Sequence, residues 1–141
     1  MNENKTLLDL AYEDLEVAKL AYESPKGLLA ASAYHVEQSI EKGIKFFAQE
    51  NGFDYEKTHD LVTLVDIIEQ GGVHVPLEEY LYDQLETLEN WEVRSRYFTN
   101  FDVKRNKIKR LIDEVEISLG NIKEELEKRY QSQGIEFDSK K

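Results

Sequence analysis

Residues 31–47 read Ala31-Ser-Ala-Tyr-His-Val-Glu-Gln-Ser-Ile-Glu-Lys-Gly-Ile-Lys-Phe-Phe47, and after a short polar break the chain continues Lys57-Thr-His-Asp-Leu-Val-Thr-Leu64. At about 100° per residue, Ala33, Val36, Ile40, Ile44 and Phe47 fall on one stripe, and His35, Gln38, Lys42 and Lys45 fall on the other side. One helix thus carries a face that must be buried and a polar face with groups able to bond a phosphate or a base. Phe46, beside the polar groups, reads as an apolar surface, and Ala31 flanks them at the other end. The same face could equally be solvated, or pack on another helix or a second subunit with His35 satisfied in the seam.

The rest of the chain repeats the helical period. Leu7, Leu8, Ala11, Leu15, Ala18 and Tyr22 predict a first helix over about Glu3–Glu23, which Ser24-Pro25-Lys26-Gly27 breaks. The second helix spans Leu28 to about Asn51, with Asn51-Gly52 as its C-terminal stop. A third is expected to begin at Thr58, capped by its hydroxyl, to bury Leu61, Leu64, Val65 and Ile68, and to end at Gly71-Gly72. Pro76 suits the first turn of a fourth, whose inner face is Leu77, Leu81, Leu85 and Leu88 with Trp91 near its end. A last helix of about 28 residues is expected from near Asp102, with Ile108, Leu111, Ile112, Val115, Leu119, Ile122 and Leu126 at helical spacing. The expectation is an all-α, up-and-down bundle of four to five helices with a long C-terminal helix. It forms one domain over residues 1–130 with a frayed tail over 131–141.

Composition narrows the function. The 141 residues contain no cysteine, which removes disulfides, thiolate metal sites and a cysteine nucleophile. No segment approaches the roughly 20 apolar residues of a membrane span, and the N-terminus lacks a targeting pattern, so a cytoplasmic protein without membrane contact is expected. A net charge of −11 argues against general coating of nucleic acid. Yet Arg94 to Arg110 holds seven basic residues against Asp102, leaving 11 basic and 28 acidic residues elsewhere. Arg94, Arg96, Lys104 and Arg105 are therefore candidate anion contacts. Lys104 and Arg105 fall in the first turn of the last helix, where the macrodipole disfavours cations and a bound anion would relieve them. Acidic Glu86, Glu89 and Glu92 could compensate them instead. The three histidines have no metal-ligand spacing, and no glycine-rich phosphate loop is present, so neither a metal nor a cofactor is expected.

The succession Ala33, His35, Gln38, Glu41-Lys42, then Lys57-Thr-His-Asp-Leu61, with Arg96-Tyr97 further on, resembles the HEPN (higher eukaryotes and prokaryotes nucleotide-binding) family of small helical domains. The resemblance covers about Leu7 to Leu126. It implies a nucleotide- or nucleic-acid-binding module, a homodimer, and in many cases a minimal nucleotidyltransferase partner with which such proteins act as a toxin-antitoxin-like pair. Many members resemble metal-independent ribonucleases with an Arg, four to six residues and a His. Here those positions are Thr99, Asn100 and Phe101 after Arg94, and Phe101, Asp102 and Val103 after Arg96. With no histidine after His74, that activity is not carried over, and the chain reads as non-catalytic. The nucleotide or anion contacts expected are His35, Gln38, Lys42, Arg94, Arg96, Tyr97, Lys104 and Arg105. Alternatives are a ribonuclease with a displaced base such as His35 or His59, and a helical adaptor without a small ligand.

Overall fold

The computed structural model describes residues 5–56, 60–97 and 103–132. They form six helices: α1 Leu7–Glu23, α2 Leu29–Glu50, α3 Leu61–Gln70, α4 Glu79–Asp83, α5 Leu85–Tyr97 and α6 Arg105–Ser132. No strand occurs among the described residues. Every stripe position expected on α2 is buried, as are all seven on α6, and they meet in one core with Leu8, Leu15, Leu64, Ile68, Leu81, Leu88 and Trp91.

α2 is the hub of the bundle, packing against α1, α3, α5 and α6. Its pairing with α1 is antiparallel and tight because both surfaces carry small residues at a seven-residue interval. Ser32 Oγ donates to the Ala18 carbonyl at 2.8 Å, and Ser39 Oγ donates to the Ala11 carbonyl at 2.7 Å. Both hydroxyls are fully buried, so each bond removes a desolvation cost as well as fixing the register. On another side of α2, Gly43 lets α6 approach. A Cβ there would lie 2.4 Å from Leu119 Cδ2.

Several helix ends differ from the sequence expectation. α1 starts at Leu7 rather than Glu3, because Thr6 and Asp9 form a reciprocal capping box, with Thr6 Oγ1 and the Asp9 carboxylate each 3.0 Å from the other's backbone N–H. α3 begins at Leu61 and is capped by Asp60, whose carboxylate accepts from the Thr63 N–H at 2.8 Å; Thr58, the expected cap, lies outside the described residues. Glu89, from α5, accepts from the neighbouring Val62 N–H at 2.7 Å. Pro76 precedes its helix instead of entering it. The Pro76 carbonyl accepts from Asn121 Nδ2 of α6 at 3.3 Å, Ser118 Oγ of α6 accepts from the Glu78 N–H at 3.0 Å, and the first helical bond runs from the Tyr82 N–H to the Glu78 carbonyl at 3.0 Å. The expected fourth helix is in two pieces. At Gln84 the backbone N–H turns back to Leu81, three residues earlier, before α5 resumes. α6 begins at Arg105 rather than Asp102 and has the expected 28 residues. Gly52 takes φ +80°, the left-handed turn that the Asn51-Gly52 stop requires.

Candidate functional site

The polar face of α2 is largely enclosed by neighbouring helices. Asp14 of α1 lies between His35 and Lys42, its two carboxylate oxygens 2.8 Å from His35 Nδ1 and 2.5 Å from Lys42 Nζ. Asp14 is the most enclosed of the three, with 11% of its side chain exposed against 29% for His35 and 30% for Lys42. The antiparallel register makes this geometry, since His35 and Lys42 are two turns apart on α2 and Asp14 sits between them on α1. His35 also meets the Tyr34 ring edge-on at 5.1 Å.

Toward α5 the same helix turns carboxylates inward. Glu37, only 2% exposed, accepts from Gln38 Nε2 at 2.7 Å, so Gln38 is committed within the chain. Burial first, and then the Glu41 and Glu92 charges, push the Glu37 carboxyl up to about 9. Lys45 pairs with Glu41 at 2.7 Å. Arg96 pairs with Glu92 one turn earlier on α5 and lies over the Tyr34 ring, 5.3 Å from its centre. Phe46 is not a surface beside the polar groups: at 4% exposure it belongs to the core.

Arg94 points elsewhere. Two residues correspond to about 200° on a helix, so Arg94 leaves α5 on nearly the opposite side from Arg96. It lines an open groove of about 520 Å³ with Thr87, Asn90 and Trp91 of α5, Val103, Lys104 and Lys107. Thr87, Asn90, Trp91 and Arg94 follow the three-to-four-residue spacing of one helix face, and the start of α6 forms the other wall. Lys104 and Lys107 make no ion pair or side-chain hydrogen bond among the described residues. Three other cations of α6 are paired, Lys109 with Asp113, Arg110 with Glu114 and Arg129 with Glu125, whereas Lys123 and Lys128 also make no such contact among the described residues.

The expected contacts thus divide into separate places. Arg94 and Lys104 share the groove. His35 and Lys42 share Asp14, and Arg96 adjoins them through Tyr34. Arg105 leaves the group. Its guanidinium covers the Tyr22 ring at 4.2 Å and donates to the Tyr22 carbonyl at 3.0 Å, binding the start of α6 to the end of α1. Tyr97 is the last residue of α5. His59 lies outside the described residues, and His74 faces Glu69 and Tyr82. Asp14, Glu37 and Lys107 were not singled out from the sequence. The small-residue register between α1 and α2 would have pointed to Asp14, and the i, i+3 spacing from Lys104 to Lys107. No group of three or more His, Asp or Glu side chains among the described residues is arranged to hold a metal ion. None of the described helices is long and apolar enough to cross a membrane.

A family model described as HEPN domain matches residues 5–126, most of the chain. The chain belongs to the HEPN domain family. The match spans α1 through most of α6, so the groove and the Asp14 cluster both lie within the HEPN domain. Comparison with curated proteins and with solved structures returns no match.

Proposed function

We propose that this HEPN domain is a non-catalytic binding module that takes the phosphate of a nucleotide or polynucleotide in the groove between α5 and the start of α6. The supporting observation is the convergence of Arg94, Lys104 and Lys107 on that groove in a chain of net charge −11, with both lysines lacking an ion-pair partner among the described residues. Two lysines one helical turn apart repel each other and oppose the positive end of α6. A phosphate between them relieves both penalties. Asn90 and Thr87 add neutral hydrogen-bonding groups to the wall.

Calorimetry with ATP, GTP and a short single-stranded RNA tests the reading. Lys104→Ala and Lys107→Ala each weaken binding and lower its salt sensitivity, while Lys123→Ala, on the same helix outside the groove, leaves both unchanged. Absence of binding or thermal stabilisation at millimolar ligand would instead support a helical adaptor.

The same reading has the chain self-associate along the α2 side bearing His35, Gln38 and Lys42, next to Arg96 and Tyr97, and act beside a minimal nucleotidyltransferase. Light scattering of wild-type and Lys42→Glu protein, and co-purification with the product of a neighbouring gene, test those two parts. One arrangement favours a second reading, a metal-independent ribonuclease. Asp14 orients His35 as a base would need, and Arg96 stands nearby through Tyr34. Cleavage of RNA in the presence of a chelator, lost in His35→Ala, would overturn the non-catalytic reading.

A further inference from the structure

Between Thr58 and Val93 the chain holds nine aspartates and glutamates and no lysine or arginine. The stretch runs through α3, α4 and most of α5, and the cationic run begins immediately after it at Arg94. Several of its carboxylates are used inside the fold. Asp60 caps α3, Glu69 faces His74, Glu78 accepts from Asn121 and Glu92 holds Arg96. Asp66 and Glu86 are exposed and make no ion pair or hydrogen bond among the described residues.

The bond from the Val62 N–H to Glu89, at 2.7 Å, joins the start of α3 to α5 and brings two exposed valines together. Val62 is 38% exposed, and Val93, one turn beyond Glu89, is 45% exposed. Asp66 stands one turn beyond Val62 on α3, and Glu86 one turn before Glu89 on α5. Two valines thus form an apolar centre with three carboxylates around it. The cations nearest along α5 do not neutralise this face. Arg94 leaves the helix about 100° from Val93 and opens on the groove, and Arg96 is held by Glu92 and the Tyr34 ring.

We propose that this α3–α5 face docks a basic amphipathic segment of a partner protein, with its apolar residues on Val62 and Val93 and its lysines or arginines among Asp66, Glu86 and Glu89. An apolar centre inside a charged rim is how protein interfaces are built, and the rim sets orientation and association rate. The charge of the chain selects the kind of partner. Two copies meeting through this face would set the same carboxylates against one another, with a net charge of −11 on each. A basic partner is instead attracted from a distance. The face repels anions, so docking here is independent of phosphate binding in the groove.

The test uses the full chain and three fluorescein-labelled peptides of equal length. The first has leucine and lysine at helical spacing, the second has glutamate for lysine, and the third has serine for leucine. Fluorescence anisotropy is expected to show binding of the first alone, weakened by about tenfold in Asp66→Lys and in Val93→Ser. Affinity falls as salt is raised. Glu124→Lys makes the same charge change at an exposed position of α6 and is expected to leave affinity within about twofold, since distant surface charges are screened. In NMR of 15N-labelled protein the largest shifts fall on the amides of Val62, Asp66, Glu86 and Val93. Equal weakening by Asp66→Lys and Glu124→Lys would mean attraction to net charge alone and overturns the proposal. So do binding of the glutamate peptide, shifts centred elsewhere, or no binding of the first peptide at millimolar concentration. If Val93→Lys turns a wild-type dimer into a monomer in light scattering, a second copy covers the face and the proposal fails.

Discussion

Two glycines, both inside long helices, receive the same substitution with opposite expected outcomes. At Gly43, in α2, an added Cβ would stand 2.4 Å from Leu119 Cδ2. Carbon atoms in favourable contact are about 3.5–4.0 Å apart, so more than about 1 Å must be recovered by movement. Leu119 is fully buried and Gly43 faces it from the hub helix, leaving both sides little room. Overpacking of this kind costs roughly 1–3 kcal/mol, and replacing glycine by alanine within a helix returns roughly 0.5–1 kcal/mol. Gly43→Ala is therefore expected to be destabilising, by up to about 2 kcal/mol. At Gly120, in α6, nothing lies within 4 Å of the added Cβ. Gly120→Ala keeps the helical gain alone and stabilises by roughly 0.5–1 kcal/mol. The gap between the variants is the packing term itself, and for a chain of this size about 1 kcal/mol corresponds to roughly 3–5 °C in Tm. Thermal unfolding by circular dichroism, supported by urea midpoints, measures it directly. If the two variants melt within about a degree of each other, α6 does not approach α2 as closely as described, and the argument for Gly43 is refuted.

Other consequences are smaller or more local. Thr6→Ala removes one half of the capping box and is expected to cost about 1 kcal/mol in urea unfolding, with amide exchange rising first in the opening turn of α1. Ser39→Ala leaves the Ala11 carbonyl without its hydroxyl partner inside the α1–α2 seam, and a loss of roughly 1 kcal/mol is expected. Equal stability to wild type would mean that this bond does not set the register. Arg105→Gln abolishes the cation over the Tyr22 ring. It is expected to lower stability by a few tenths to about 1 kcal/mol while leaving phosphate binding in the groove intact. A large loss of binding would show that Arg105 reaches the ligand.

The helical class and nearly all of the core could be read from the chain. Apolar residues recur at three- and four-residue steps, and burial follows directly from that period. The buried stripes Ala33 to Phe47 and Ile108 to Leu126 were legible for that reason. Ends were less legible. Asp60 is as competent a cap as Thr58 by residue type, and it is Asp60 that accepts from Thr63 while Glu89 of α5 takes the neighbouring Val62 N–H. Pro76 suits a first turn locally, yet its carbonyl is taken by Asn121, forty-five residues away, and the helical bonds begin at the Glu78 carbonyl.

The cationic segment Arg94 to Arg110 was visible as composition, but how its members divide was not. The 200° between Arg94 and Arg96 separates them around α5. Lys104 joins Arg94 because the start of α6 packs beside that face, and Arg105 is diverted because the end of α1 presents Tyr22. Likewise, His35, Gln38 and Lys42 were apparent as a polar row, whereas Asp14 enters only through the antiparallel register of α1 on α2. Local periodicity determined which residues are inside, since burial follows spacing along one helix, and the family resemblance lay in the identities of a few residues in several segments. Only tertiary structure decided which charges meet, because electrostatic pairing and desolvation depend on distances between helices that spacing within a helix does not contain.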